Sequence, residues 1–256
     1  MSAAVITAWS CRVPEGAREA LSLRARWPDA PARIGRMDRA SAHALLAVRD
    51  ALAKVPLDPS DDVGVIVGTA LGCAEVNDAY HRGLVARGVE GASPLLFAQT
   101  IPSAPAGEVA IAFGFRGHSA TLMAGRCAGV AAVAEALRAI RAGRMDAGVV
   151  IAGDVFGDDR AALRAARGEA PPGEATVALL IEREDHAARA GRSARAEITA
   201  ARVVFEDNPG TPLDIDRLGA TGLIELARWL DAGDGDFAAV VRCPSGRRGT
   251  LCATGR

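Results

Sequence analysis

Residues 117–154, GHSATLMAGRCAGVAAVAEALRAIRAGRMDAGVVIAGD, constrain the fold more than any other stretch of the chain. A glycine-bounded turn leads into a helical pattern, and the segment closes on an apolar run of strand length. After Cys127, the residues Val130, Val133, Ala134, Leu137 and Ile140 recur at helical spacing on one side. Gly143 stands where a C-terminal cap is needed. The early face of this helix is almost wholly Ala and Val, which suggests burial between layers rather than an exposed position.

The rest of the chain repeats the alternation. Strand-length apolar runs at 63–67, 149–152, 177–181, 198–205 and 237–241 are separated by helical patterns, which means α/β layering. The pattern over 38–54 predicts a helix with Ala42, Leu45, Leu46 and Leu52 on its apolar side, and GLIELARWL near the C-terminus predicts another. GEAPPGE (168–174) reads as a loop, and DAGDGD (231–236) as an acidic turn without the further spaced ligands of a calcium site. GTALG and GDVFG lack the spacing of a phosphate cradle and read as tight turns.

With 256 residues, 50% hydrophobic and 24% charged, the chain can bury a large core in one domain or two tightly joined repeats. Lys plus Arg at 30 against Asp plus Glu at 31 leaves no basic excess to attract nucleic acid or an anionic membrane. Aromatic residues at 4% also argue against base-stacking platforms. The N-terminal apolar run is too short for a signal core and lacks a basic lead, so a cytoplasmic location is expected. The five cysteines, Cys11, Cys73, Cys127, Cys243 and Cys252, contain no C-x-x-C pair. Neither a disulfide framework nor a zinc site is indicated, and no cofactor is expected.

The chemistry concentrates at the start of the central helix, where Arg126 and Cys127 stand side by side. A helix N-terminus offers unpaired N–H groups and partial positive charge, which lower a cysteine pKa and suit it to nucleophilic attack.

SPLLFAQTIPSAPAG (93–107), then G-x-R-G-x-S (114–119) and the helix, resemble a β-ketoacyl synthase of the thiolase superfamily. VGVIVGTALG (63–72) is similar to that family's glycine-rich turn, and EATVALLIEREDHAARAGRSARAEI (174–198) to the strand, helix and strand after its nucleophile region. The resemblance implies a thiolase-like αβαβα layered sandwich with an abbreviated C-terminal repeat, as a single ketosynthase-like domain over 1–256. Residues 1–185 would form the N-terminal repeat and 186–256 the shortened one.

The departures are as informative. Keeping Gly129 and Ser119 in register puts Arg126, not Cys127, on the family's nucleophile position. A helix turns a side chain by roughly 100° and advances it about 1.5 Å per residue, so Cys127 would point off the path of a thioester. Arginine has donors and a permanent charge but no nucleophilic lone pair. Neither of the family's two histidine motifs is evident: GTPL (210–213) resembles the end of the first, with Asp207 at the histidine position, and DRLGATG (216–222) resembles the second, with Asp216 there. A carboxylate repels a developing oxyanion. SGRRG (245–249) replaces the family's Gly-Phe-Gly-Gly-x-Asn turn. Of the four histidines, His118 reads as a surface or turn residue, His186 as part of a surface helix, and His43 and His81 as solvated or locally hydrogen-bonded helix residues.

This pattern resembles a chain-length factor, the nucleophile-free partner of an active ketosynthase in type II polyketide systems, with truncated relatives in aryl-polyene and highly reducing polyene pathways. The implied partners are a β-ketoacyl synthase subunit in a heterodimer and, through it, an acyl carrier protein. Ketosynthase dimers join through an edge strand, expected here at 149–152 with Val149, Val150 and Ile151. Leu95, Leu96 and Phe97 would line or close the partner's acyl tunnel. Two alternatives stay open: an active acyltransferase using Cys127, and a non-catalytic acyl-binding homodimer.

Overall fold

A computed structural model describes residues 3–13, 27–28, 32–53, 55, 57, 62–169, 173–205, 218–233 and 235–256. In chain order the elements are β1 (Ala4–Arg12), α1 (Arg39–Leu52), β2 (Val63–Thr69), α2 (Ala74–Arg87), α3 (Pro94–Ala98), α4 (Ala104–Phe113) and β3 (Ser119–Met123). There follow α5 (Ala128–Arg141), β4 (Ala147–Asp154), α6 (Asp158–Ala166), β5 (Ala175–Arg183), α7 (Glu184–Arg189), β6 (Ala196–Phe205), α8 (Thr221–Ala232), β7 (Asp236–Arg242) and β8 (Arg247–Gly255). Short 3₁₀ turns at Gly125–Cys127 and Leu218–Ala220 precede α5 and α8.

The eight strands of the described residues form one sheet in the order β3-β2-β4-β5-β1-β6-β8-β7. β2 pairs in parallel with β3 and β4, while β5 runs antiparallel to both β4 and β1. The first five strands meet the last three through only two residue pairs, Val5↔Glu197 and Ile6↔Ala196. This narrow seam makes the sheet two segments, and each carries its own side of the core.

Two apolar clusters define the layers. On one face of the five-strand segment, Leu45 and Leu46 of α1 and Val109 of α4 pack on Val65, Val149 and Leu180. On the other face, α5 and α8 lie between Ile66, Val150 and Leu179 of the first segment and Ile198, Val241 and Leu251 of the second. The order is helix, sheet, helix, sheet, with the Ala- and Val-rich α5 buried between layers as its composition predicts. Beyond the second segment, Ala200, Ala238 and Val240 face solvent.

Local chemistry sets the boundaries. Asp38 caps α1 by accepting from the Ser41 N–H at 2.9 Å. Gly143 adopts φ +66° just past the last turn of α5, the left-handed conformation a helix terminus favours. α5 can approach the strands because a Cβ on Gly68 would lie 2.3 Å from the Ala128 carbonyl oxygen, and one on Gly129 would lie 2.7 Å from that of Gly219.

Two expectations are corrected. β4 is not an edge strand: it lies between β2 and β5, and Val149, Val150 and Ile151 are buried. The physical reason is in its sequence, since residues apolar on both faces need cover on both faces, which an interior strand receives. The edges among the described residues are β3 and β7. For His43 only the solvated alternative is removed: it is 2% exposed inside α1.

Candidate functional site at the entrance of the central helix

Cys127 ends the Gly125–Cys127 turn and is the N-cap residue of α5. It is fully buried. Its thiol has two backbone carbonyls of the C-terminal half within donating distance, Val241 O at 3.4 Å and Arg247 O at 3.6 Å. Burial pushes the Cys127 thiol up and neighbouring Cys243 pushes it the same way; the Gly249 N–H and the charges of Arg247 and Arg126 offset this only in part. Because the thiolate is the nucleophile, this shift, caused chiefly by burial, works against nucleophilic attack.

Cys243, at the end of β7, was not singled out as a site by the sequence. Its sulfur packs against Gly125, where a Cβ would come within 2.6 Å of it. Ser245 Oγ donates to that sulfur at 3.1 Å, and the backbone N–H groups of Ser245 and Arg126 donate as well. Burial pushes this thiol up, but these donors and the Arg126 charge outweigh it, so Cys243 titrates below an ordinary cysteine.

A second polar centre lies nearby, where the ends of β2 and β4 meet the Leu218–Ala220 turn. Asp154 is buried and its carboxylate accepts from Thr69 Oγ1 at 2.6 Å, the Leu71 N–H at 2.8 Å and the Gly219 N–H at 2.9 Å. The Ala70 N–H donates to both its oxygens, at 3.0 and 3.1 Å. Burial still pushes the carboxyl above its usual range. Only an acidic residue closing an apolar strand hinted at this clamp in the sequence. The adjoining cavity, lined by Thr69, Pro102, Ile151 and Thr176, measures about 20 Å³, room for a water molecule but not for an acyl chain.

The histidines are dispersed. His118 Nε2 is paired with Glu135 at 2.7 Å, and His186 Nδ1 lies 3.1 Å from Glu182, a buried carboxylate also held by Thr7 and Arg192. His43 is inside α1 and His81 is exposed on α2. None figures among the groups that act on the Cys127 thiol. Asp207 and Asp216 lie outside the described residues. Among the described residues, no cluster of three His, Cys, Asp or Glu side chains could hold a metal ion. No described helix is long and apolar enough to cross a membrane.

Leu95 and Leu96 line an open groove of about 520 Å³ whose walls include Arg39, Glu75, Arg82 and Asp159. Phe97 is 64% exposed, with its ring 5.9 Å from that of Tyr80. The three residues of SPLLF therefore sit at the surface.

Residues 25–169 match the sequence profile of the β-ketoacyl synthase N-terminal domain. The 3-oxoacyl-[acyl-carrier-protein] synthase 2 of Staphylococcus aureus (strain N315) is 29% identical over 116 residues, which cover 44% of this chain and 28% of that protein. A putative polyketide beta-ketoacyl synthase 1 of Streptomyces virginiae is 34% identical over 134 residues, covering 49% of this chain and 31% of the relative. The matched stretch thus spans less than a third of either relative's length. Among solved structures, the ishigamide ketosynthase/chain length factor superposes with a TM-score of 0.85 at 17% identity, covering 99% of both chains. A beta-ketoacyl synthase from Burkholderia phymatum STM815 superposes with a TM-score of 0.83 at 15% identity, covering 100% of both. These likenesses identify the layered α/β architecture as thiolase-like. The family profile covers more than half of the chain, and the protein belongs to the β-ketoacyl synthase family.

Proposed function

We propose that this chain is a non-catalytic ketosynthase-like subunit that pairs with an active β-ketoacyl synthase and helps to shape its acyl tunnel, in the manner of a chain-length factor. The observation that carries this reading is Cys127: its thiol is buried, held on two carbonyls, shifted toward the protonated form and served by no histidine. Arg126, in the register of the family's nucleophile, has no lone pair to offer. Acyl carrier protein would reach the chain only through the complex.

The subunit interface moves from β4 to the edge strand β3. Its free edge can pair with another chain, and the surface beside it carries exposed apolar side chains, Met123 at 54%, Ile111 at 62% and Ile101 at 51%. Leu95, Leu96 and Phe97, nearby in sequence, would meet the partner's acyl site.

Co-expression with a ketosynthase from the same organism tests the reading. A stable one-to-one complex by light scattering is expected, and an obligate interface of this kind buries more than about 2,000 Å². A well-behaved monomer that ignores every such ketosynthase in pull-downs would contradict it.

A further inference from the structure

The geometry points to Cys127 and Cys243 as an oxidisable pair, in which a hydroperoxide converts the two thiols into a disulfide that staples the entrance of α5 to the β7–β8 turn.

Three contacts bring the two residues together from opposite halves of the chain. The Cys127 thiol and the Cys243 N–H converge on one acceptor, the Arg247 carbonyl oxygen, at 3.6 and 2.8 Å. The second carbonyl that holds Cys127 belongs to Val241, on β7 two residues before Cys243. From the other side, the Cys243 sulfur lies against Gly125 and takes the Arg126 N–H, the residue immediately before Cys127. Both side chains are buried in the same apolar cluster between the sheet segments.

The two thiols are unequal, which suits a stepwise reaction. Cys243 has Ser245 Oγ, two backbone N–H groups and the Arg126 charge directed at its sulfur, so it carries the larger thiolate fraction. Cys127 has carbonyl acceptors and stays a thiol. In the first step the Cys243 thiolate attacks a peroxide oxygen; the O–O bond breaks, hydroxide (or alkoxide) leaves, and a sulfenic acid forms. In the second, the Cys127 sulfur attacks that sulfenic sulfur; the S–O bond breaks, the Cys127 proton and the hydroxyl leave as water, and the S–S bond forms. The two thiols are oxidised by two electrons, and the peroxide is reduced. The charged groups that act on the pair include Arg126 and Arg247.

The remaining cysteines serve as internal controls. Cys252 lies on β8 in register with Ala200 and Ala238, Cys11 lies on β1 opposite Val177, and the Cys73 sulfur lies 3.5 Å from Asn77 Nδ2. The full chain, in complex with its partner where the free chain aggregates, is treated with hydrogen peroxide and mapped by mass spectrometry of non-reduced peptides. A single Cys127–Cys243 cross-link, with loss of two hydrogens, is expected. It should be absent in Cys127→Ser and Cys243→Ser and form several-fold more slowly in Ser245→Ala. Oxidation should raise the melting temperature of the parent chain by about 3 °C or more and leave the serine variants unmoved. Should a variant fail to fold, the parent map still decides. Cys243 driven to sulfinic or sulfonic acid with Cys127 free would overturn the proposal, as would oxidation confined to Cys11, Cys73 or Cys252. The readout does not depend on the subunit's role in acyl chemistry.

Discussion

Asp154 and Cys127 stand at the same junction, where the strand ends of the N-terminal half meet the turn before α8 and the β7–β8 hairpin, yet they are provided for in opposite ways. Four donors from two segments converge on the Asp154 carboxylate. Cys127 sits at a helix N-terminus, which should favour a thiolate, and is instead bonded to carbonyls and buried. Donors surround the Asp154 carboxylate on several sides, while at Cys127 the Gly249 N–H and the charges of Arg247 and Arg126 offset the effect of burial only in part.

The largest effect should come from exchanging an interior strand for an edge. Val150→Glu would bury an unpaired carboxylate between α5 and the sheet, which costs several kcal/mol, about enough to unfold the chain. Met123→Glu, on the exposed edge strand, should leave the melting temperature nearly unchanged and weaken the complex with the ketosynthase about tenfold or more. A folded Val150→Glu protein that fails only in assembly would restore β4 as the interface.

Next in size is Asp154→Ala, which leaves buried N–H groups and the Thr69 hydroxyl without an acceptor. A loss of about 3 kcal/mol in urea unfolding is expected, and rather less for Asp154→Asn, whose amide oxygen still accepts from part of the donor set although its NH2 group faces the remaining donors. The folded carboxyl titrates above its unfolded value, so the native state binds the extra proton and this group's contribution falls as pH rises from the ordinary carboxylate range through the folded pKa. Comparing parent and Asp154→Asn across that window isolates the slope.

On the exposed SPLLF segment, stability should change by less than about 1 kcal/mol while product length responds. Leu96→Trp should shorten the products of the complex, and Leu96→Ala or Phe97→Ala should lengthen or blur them, by product analysis of intact complexes. Unchanged lengths in all three would remove these residues from the tunnel.

The smallest effect is at Glu135. Burial pushes its carboxyl up, but Arg138 and His118 outweigh that and hold it below the usual range. Its contribution is therefore present above the unfolded carboxylate pKa and lost as pH falls through the folded one. Glu135→Gln should cost about 0.5–1 kcal/mol near neutral pH and flatten the acid limb of the stability curve.

The layering was legible because it rests on local patterns: the Ala- and Val-rich face of α5, the apolar runs of β2, β4 and β5, and the cap positions of Asp38 and Gly143. The position of β4 in the sheet was not read correctly, although GVVIAG is apolar on both faces and such a run favours an interior strand. Cys243 has Ser245 close by in sequence, but its contacts at Gly125–Cys127 lie far away and only the meeting of the two halves joins them. The Asp154 clamp was missed for the same reason, as its donors come from the β2–α2 turn and the turn before α8.

The central claim, that the entrance of α5 performs no acyl transfer, is tested most directly by incubating the complex with an acyl carrier thioester and following both subunits by intact mass and peptide mapping. The account expects the acyl group on the partner ketosynthase alone, with elongation nearly intact in the Cys127→Ala complex. An acyl adduct on Cys127 formed at the rate of turnover, and lost together with activity in Cys127→Ala, would contradict it.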